Sequence, residues 1–229
     1  MLVGVLGGMG PKATFDFLDM VTDNTKVSCD QDHINMLVYS HAEIPDRTSF
    51  ILGKSNKSPL PYLINDAKLL EKNGCDFLVL TCNTSHYFYD DIVKEISIPL
   101  LNMPEEAAKV INNNPRIKKV GILATTGTIN CKIYDKYLNK EIFIADDSLN
   151  NRVMNLIYDK VKKGIKVSKM EFYDVLNEYF DNGCDAVIMG CTELSVIVRD
   201  NDLYSDKRIV DAMKILVDKT ISLAKKDMD

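Results

Sequence analysis

The chain has 229 residues, a formal net charge of −5 and a pI near 5.3, with 46% hydrophobic and 27% charged residues. That is ordinary for a soluble protein with a sizeable core, and the lack of a basic stripe interleaved with aromatics argues against nucleic acid as a partner. No apolar run approaches the roughly 18 residues needed to cross a bilayer, and the first apolar run is broken by glycines instead of following a basic segment, so a cytosolic protein is expected.

In chain order, VGVLGGMG from Val3 predicts a buried strand running into a small-residue loop. YLINDAKLLEKNG has apolar residues at helical spacing and ends on Gly74, a residue suited to the left-handed turn that closes a helix. FLVL then predicts a short strand buried on both faces, as in parallel sheets. TCNTSH follows at its carboxyl end, before another helical stretch, YDDIVKEI. Past Pro99 the pattern restarts with VGILATTG from Val120, passes a lysine-rich helix end, VKKGIK, and reaches NGCDAVIMGCTE at Asn182–Glu193. A last helical stretch, about Ile209–Lys225, is expected to pack back on the first half.

The chain therefore repeats itself. NGCDFLVLTCNT at Asn73–Thr84 and NGCDAVIMGCTE share Asn, Gly, Cys and Asp, then four apolar residues, one variable position and a second Cys. Alternating strands and helices imply an α/β fold with mainly parallel sheets, here as two pseudo-symmetric doubly wound domains. The expected division is 1–98 with 207–229 as the first domain and 99–206 as the second, with the active site in the cleft between them. Ligands of open α/β sheets bind at the carboxyl ends of the strands, where Cys82 and Cys191 fall. Seventy residues separate Val3 from Asn73 and sixty-two separate Val120 from Asn182. The extra chain is assigned to Asp30–Lys57, where it could lid the site.

Of the six cysteines, Cys29, Cys75, Cys82, Cys131, Cys184 and Cys191, none forms a CxxC pair, and a reducing cytosol disfavours disulfides. A cysteine ending a buried strand is by default a packing residue. Cys82 and Cys191 depart from that default because they recur in matching contexts and are followed by polar residues. Cys75 and Cys184 also recur, but at the strand's amino end, and serve as an internal control. Two thiols approaching one carbon from opposite faces suit racemisation: one removes a proton, the other returns one. A thiol's reference pKa of about 8.5 can be tuned toward working pH by donors and helix N-termini. Glu193 is the exception among the polar neighbours, since its carboxylate opposes a thiolate.

GGMGP at Gly7–Pro11, TCNTSH at Thr81–His86 and GCTEL at Gly190–Leu194 resemble the aspartate/glutamate racemase family, most of all its aspartate racemase branch, nearly end to end. The resemblance implies a cofactor-independent (PLP-free) two-base isomerase, usually a homodimer, with Cys82 and Cys191 as the catalytic pair. It implies that Asn83, Thr84 and Thr192 hold the substrate's amino and carboxylate groups, with Thr125, Thr126 and Thr128 of ATTGT as a carboxylate loop. Met9 lies in the equivalent loop of the first half. Arg47 and Lys163 match cations for a side-chain carboxylate, with Lys162 and Lys166 close by. Aspartate or glutamate is thus the expected substrate, beside a broad-specificity racemase or a non-catalytic small-acid binding protein. Metal ligation is not expected from His33, His41 and His86, which lack ligand spacing. GGMG does not meet GxGxxG, so a nucleotide site is set aside. A Cys82–His86 nucleophile pair and a one-cysteine decarboxylase leave Cys191 unexplained.

Overall fold

The computed structural model describes residues 1–225. They divide into two compact units, Met1–Met103 with Met213 onward, and Pro104–Ala212. In chain order the elements are β1 (Leu2–Gly7), α1 (Pro11–Asn24), β2 (Asn35–Ser40), α2 (Arg47–Ile51), α3 (Leu60–Lys72), β3 (Phe77–Leu80), α4 (Tyr89–Val93) and α5 (Met103–Asn112). Then come β4 (Lys119–Leu123), α6 (Thr126–Asn130), β5 (Glu141–Phe143), α7 (Asp147–Met154), α8 (Lys169–Asp181), β6 (Ala186–Met189), α9 (Thr192–Asp200), β7 (Ile209–Asp211) and α10 (Ala212–Ala224).

Every strand pair is parallel. The first unit orders its sheet β2-β1-β3 and adds a parallel bridge from Leu78 to Leu100; the second orders its sheet β5-β4-β6-β7. The repeat survives in the register. Val3 pairs with Phe77 in one unit and Val120 with Ala186 in the other. The sequence offset from Cys82 to Cys191 is also the offset from the bridge residue Leu100 to Ile209 of β7.

The repeated NGCD does backbone work. The Asn73 and Asn182 side chains each donate to a carbonyl of the preceding turn, Leu69 and Glu178, at 2.7 Å. Gly74 and Gly183 take φ of +83° and +82°. Their N–H groups, and those of Cys75 and Cys184, reach back to Glu71 and Phe180, and to Leu70 and Tyr179. This paired bonding closes a helix through a left-handed residue. Asp76 and Asp185 then accept from the first strand of each sheet, at Leu2 N–H and at Lys118 and Lys119 N–H. Cys75 and Cys184 are buried beneath. Burial pushes both thiols up, Cys184 to about 11, as expected of packing residues.

Three expectations change. Ile209–Asp211 is a strand, and the helix starts at Ala212; two apolar residues are too few to distinguish a strand from a helix face. Each half's crossing segment first adds to its own sheet, so the chain leaves the first unit after Met103 and returns after Ala212. The extra chain of the first half lies earlier than Asp30–Lys57. Val3 to its β2 partner Met36 spans 33 residues, whereas Val120 to its β5 partner Ile142 spans 22. The difference sits largely in α1, 14 residues long against five in α6.

Candidate active site

Cys82 stands two residues beyond β3 and is 5% exposed. The peptide before it is anchored by Thr81, whose N–H donates to the Leu6 carbonyl at 3.1 Å. The Thr81 hydroxyl meets that carbonyl at 3.2 Å and the Thr14 hydroxyl at 3.2 Å. Gly8 N–H donates to Thr14 Oγ1 at 2.9 Å, so this loop spends that donor internally instead of aiming it at a phosphate. A 3-10 turn, Thr84–Phe88, follows Cys82, and Asn83 and Thr84 are buried within it. Met9 joins the same apolar cluster as Cys82, and its Sδ accepts from Ser85 Oγ at 3.3 Å.

Arg47 opens α2 behind the Asp46 cap and is buried. Its guanidinium donates to the Met9 carbonyl at 3.2 Å and to those of Ile44 and Pro45 at 3.3 and 3.1 Å. Its Nε is buried and has no hydrogen-bond partner among the described residues. A buried guanidinium held by neutral carbonyls retains its full charge for an anion.

Cys191 is the N-cap residue of α9 and is 6% exposed. Its thiol donates to Glu193 Oε2 at 2.9 Å, and the Thr192 hydroxyl donates to the same oxygen at 3.3 Å. Lys162 Nζ lies 3.9 Å from the other Glu193 oxygen and 3.9 Å from the Tyr158 ring centroid. Burial first, and the Glu193 carboxylate second, push the Cys191 thiol well above its ordinary range, against a partial pull from Lys162. This setting favours the thiol form, with its proton directed at the carboxylate. Gly190 before it is tightly enclosed: a Cβ would lie 3.1 Å from both Ala124 Cβ and the Tyr134 ring.

The ATTGT segment follows β4. Thr125 caps α6, accepting from Thr128 N–H at 3.3 Å, and its hydroxyl meets that of Thr128 at 3.2 Å. The Asn150 amide donates to the Thr126 hydroxyl at 3.2 Å. Thr126 and Thr128 line a cavity of about 270 Å³ with Tyr134, Asp135, Asp147 and Asn150. Cys191 is not part of its wall. Among the described residues, no group of His, Cys, Asp or Glu could hold a metal ion.

The chain matches the Asp/Glu/Hydantoin racemase family over residues 6–220. It is 31% identical to a broad specificity amino-acid racemase of Bacillus subtilis over 96% of this chain and 97% of that one. It belongs to the Asp/Glu/Hydantoin racemase family. The solved aspartate racemase of Picrophilus torridus superposes with a TM-score of 0.84 at 30% identity, covering 97% of this chain and 94% of that one. A glutamate racemase from Francisella tularensis, solved with D-glutamate, shares the fold at a TM-score of 0.71 and 18% identity, over 99% of this chain and 81% of that one. The protein is thus an amino-acid racemase, an isomerase of two-domain α/β build.

Within this racemase the first unit brings Met9, Arg47, Cys82, Asn83 and Thr84 to one sheet edge. The second brings Cys191, Thr192, Glu193 and Lys162 together. Lys163 does not join them: it is 61% exposed and pairs with Asp159 at 2.7 Å. The reason is local. After α7 the helix passes through a π turn, Asn155–Lys160, and a 3-10 turn, Val161–Lys163, ending on Gly164 at φ +75°. Helical spacing cannot show which of neighbouring lysines turns inward across such a change. Tyr134 went unnoticed in the sequence. It is fully buried, its hydroxyl pushed far up by burial and then by Cys191 and Asp211.

Proposed function

We propose that this racemase interconverts the L and D forms of a dicarboxylic amino acid, aspartate or glutamate, by two-base proton transfer. Cys82 as thiolate takes the Cα proton, and Cys191 as thiol delivers its own proton to the opposite face. The product leaves Cys82 protonated and Cys191 ionised, and the reverse reaction restores the first state. One observation carries this reading: two buried thiols end equivalent strands of a repeated unit, and one of them donates a hydrogen bond to a carboxylate. Glu193 keeps Cys191 in the acid form between turnovers.

Arg47, with its free buried Nε, supports a substrate carboxylate; Lys162 is a better second cation than Lys163. The threonines Thr125, Thr126, Thr128 and Thr192 supply hydroxyls for the α-carboxylate, and Asn83 and Thr84 contact the amino group. The reading includes a homodimer working in a reducing cytosol without cofactor. A broader substrate range is the second reading, favoured by the Bacillus relative.

The test is exchange in deuterated water. L-aspartate and L-glutamate should lose their Cα proton and their optical purity together, and Cys82→Ser and Cys191→Ser should each abolish both. Undiminished racemisation in either variant refutes the paired-thiol mechanism. Equal rates on apolar amino acids would favour the broad reading, and light scattering decides the dimer.

A further inference from the structure

The residue four positions after each reactive cysteine is fastened to the segment where the chain leaves its unit. In the first unit this residue is His86. Its Nδ1 lies 2.9 Å from the Cys82 carbonyl, and the Met103 N–H points at its Nε2 from 3.2 Å. A carbonyl only accepts and an N–H only donates, so His86 is the neutral Nδ1–H tautomer with both nitrogens engaged. It is 3% exposed and stacks on Tyr89, with ring centroids 6.2 Å apart and planes 12° apart. Met103 is the last residue of the first unit before the chain crosses.

The repeat places Ser195 at the equivalent position of the second unit. Its hydroxyl donates to Asp211 Oδ1 at 2.5 Å, and both residues are buried. The Tyr204 hydroxyl reaches the other oxygen at 3.4 Å. Asp211 ends β7 and stands one residue before Ala212, the last residue of the second unit. The chemistry differs between the halves, yet the connection is the same: one side-chain bond from the cysteine turn to the exit segment. Each exit segment is also joined to its sheet by backbone bonds, Leu78 N–H to Pro99 and Leu101 N–H to Leu78 in the first unit and Val187 N–H to Arg208 in the second.

We infer that His86 and the Ser195–Asp211 pair are positioning residues, paired latches that set each cysteine turn against the exit segment of its own unit. The inference rests on Cys82 and Cys191 being the proton carriers. Thiols must sit within a few tenths of an ångström of a reacting proton, and an error of about 1 Å can cost about 100-fold in rate.

The two bonds of His86 can be separated. In His86→Gln the side-chain oxygen can reach the Met103 N–H and keep the latch. In His86→Asn the amide can reach only the Cys82 carbonyl. The expected result is a fall in kcat of about 10- to 100-fold in His86→Ala and His86→Asn, with KM within about twofold and most of the rate restored in His86→Gln. In the second unit Ser195→Ala should lower kcat likewise, while Asp211→Asn, which retains an acceptor, should lower it less. Amide exchange at Met103 should quicken in His86→Ala and His86→Asn but not in His86→Gln. Melting temperature, followed in parallel, separates loss of fold from loss of position.

Wild-type kcat in His86→Ala, or equal losses in the Gln and Asn variants at unchanged melting temperature, overturns the inference. If Cys82→Ser and Cys191→Ser both remain active, the thiol reading fails. The Met103 exchange pattern, which needs no turnover, then still tells whether the latch exists.

Discussion

Cys191 and Cys82 occupy equivalent places but different electrostatic settings. Cys191 donates a hydrogen bond to a buried carboxylate. Cys82 lies in a turn whose polar groups are hydroxyls, an amide and the His86 ring. Under the proposed mechanism this asymmetry makes Cys191 the thiol that begins as acid. Removing the Glu193 charge with Glu193→Gln leaves an acceptor for the thiol but takes away the charge that, after burial, does most to raise its pKa. The Cys191 thiol should then ionise at lower pH, visible as thiolate ultraviolet absorbance absent from Glu193→Gln/Cys191→Ser. The enzyme should also lose about 100-fold in kcat, the lower end of what a positioned acid or base contributes. An unchanged titration and pH–rate profile would show that Glu193 is only the helix-start acid its position on α9 suggests.

At the scale of elements, the repeat is legible because each of its letters does a backbone task. Asn caps, Gly turns left-handed, Cys packs and Asp holds the neighbouring strand, so the same four letters recur. The glycines of β1 and β4 show a second constraint. A Cβ on Gly4 would collide with Leu78 and come within 3.0 Å of Cys75 Sγ, and on Gly121 it would collide with Tyr179. A Cβ on Gly74 would meet nothing, so only its positive φ resists substitution. Gly74→Ala should therefore cost about 1–2 kcal/mol of backbone strain. Gly121→Ala, which overpacks a fully buried tyrosine, should cost about 1–3 kcal/mol and disturb the sheet face. Urea unfolding of the two variants tests this; an unchanged stability in either variant would contradict it. What the sequence hid is equally physical. β2 is an edge strand, half-buried, and β5 and β7 have three residues each, too short for a periodicity. Lys162 was hidden by the π turn, and the His86–Met103 and Ser195–Asp211 bonds join residues far apart in the chain. The strand-end places of Cys82 and Cys191, marked by the repeat itself, were legible.

At the scale of the molecule, two units of equivalent strand order respond differently to acid. Asp206, in the second unit, receives Arg208 Nη2 at 2.8 Å and Nε at 3.0 Å, and the Tyr173 hydroxyl at 3.0 Å. Arg208 holds the Asp206 carboxyl down to about 2, and the Asp206 side chain is only 16% exposed. A carboxyl depressed in the folded state stabilises at every pH above its unfolded value near 4, and that contribution disappears as pH falls through about 2. After discounting for partial solvent screening, this amounts to about 1–2 kcal/mol. The loop it pins leads into β7, and the Arg208 carbonyl accepts from Val187 N–H at 2.7 Å, tying the loop to β6. In the first unit the corresponding acceptor is Pro99, which receives Leu78 N–H at 2.8 Å and has no charge to lose. Acidification from pH 4 to pH 2 should thus loosen β6 and β7 before β1 and β3. Hydrogen exchange followed by mass spectrometry, corrected for the intrinsic pH dependence, should show protection lost first over 186–211. In Asp206→Asn that difference should already be present at pH 5. If β1 and β3 loosen first in the wild type, Asp206 is not the group through which acid acts.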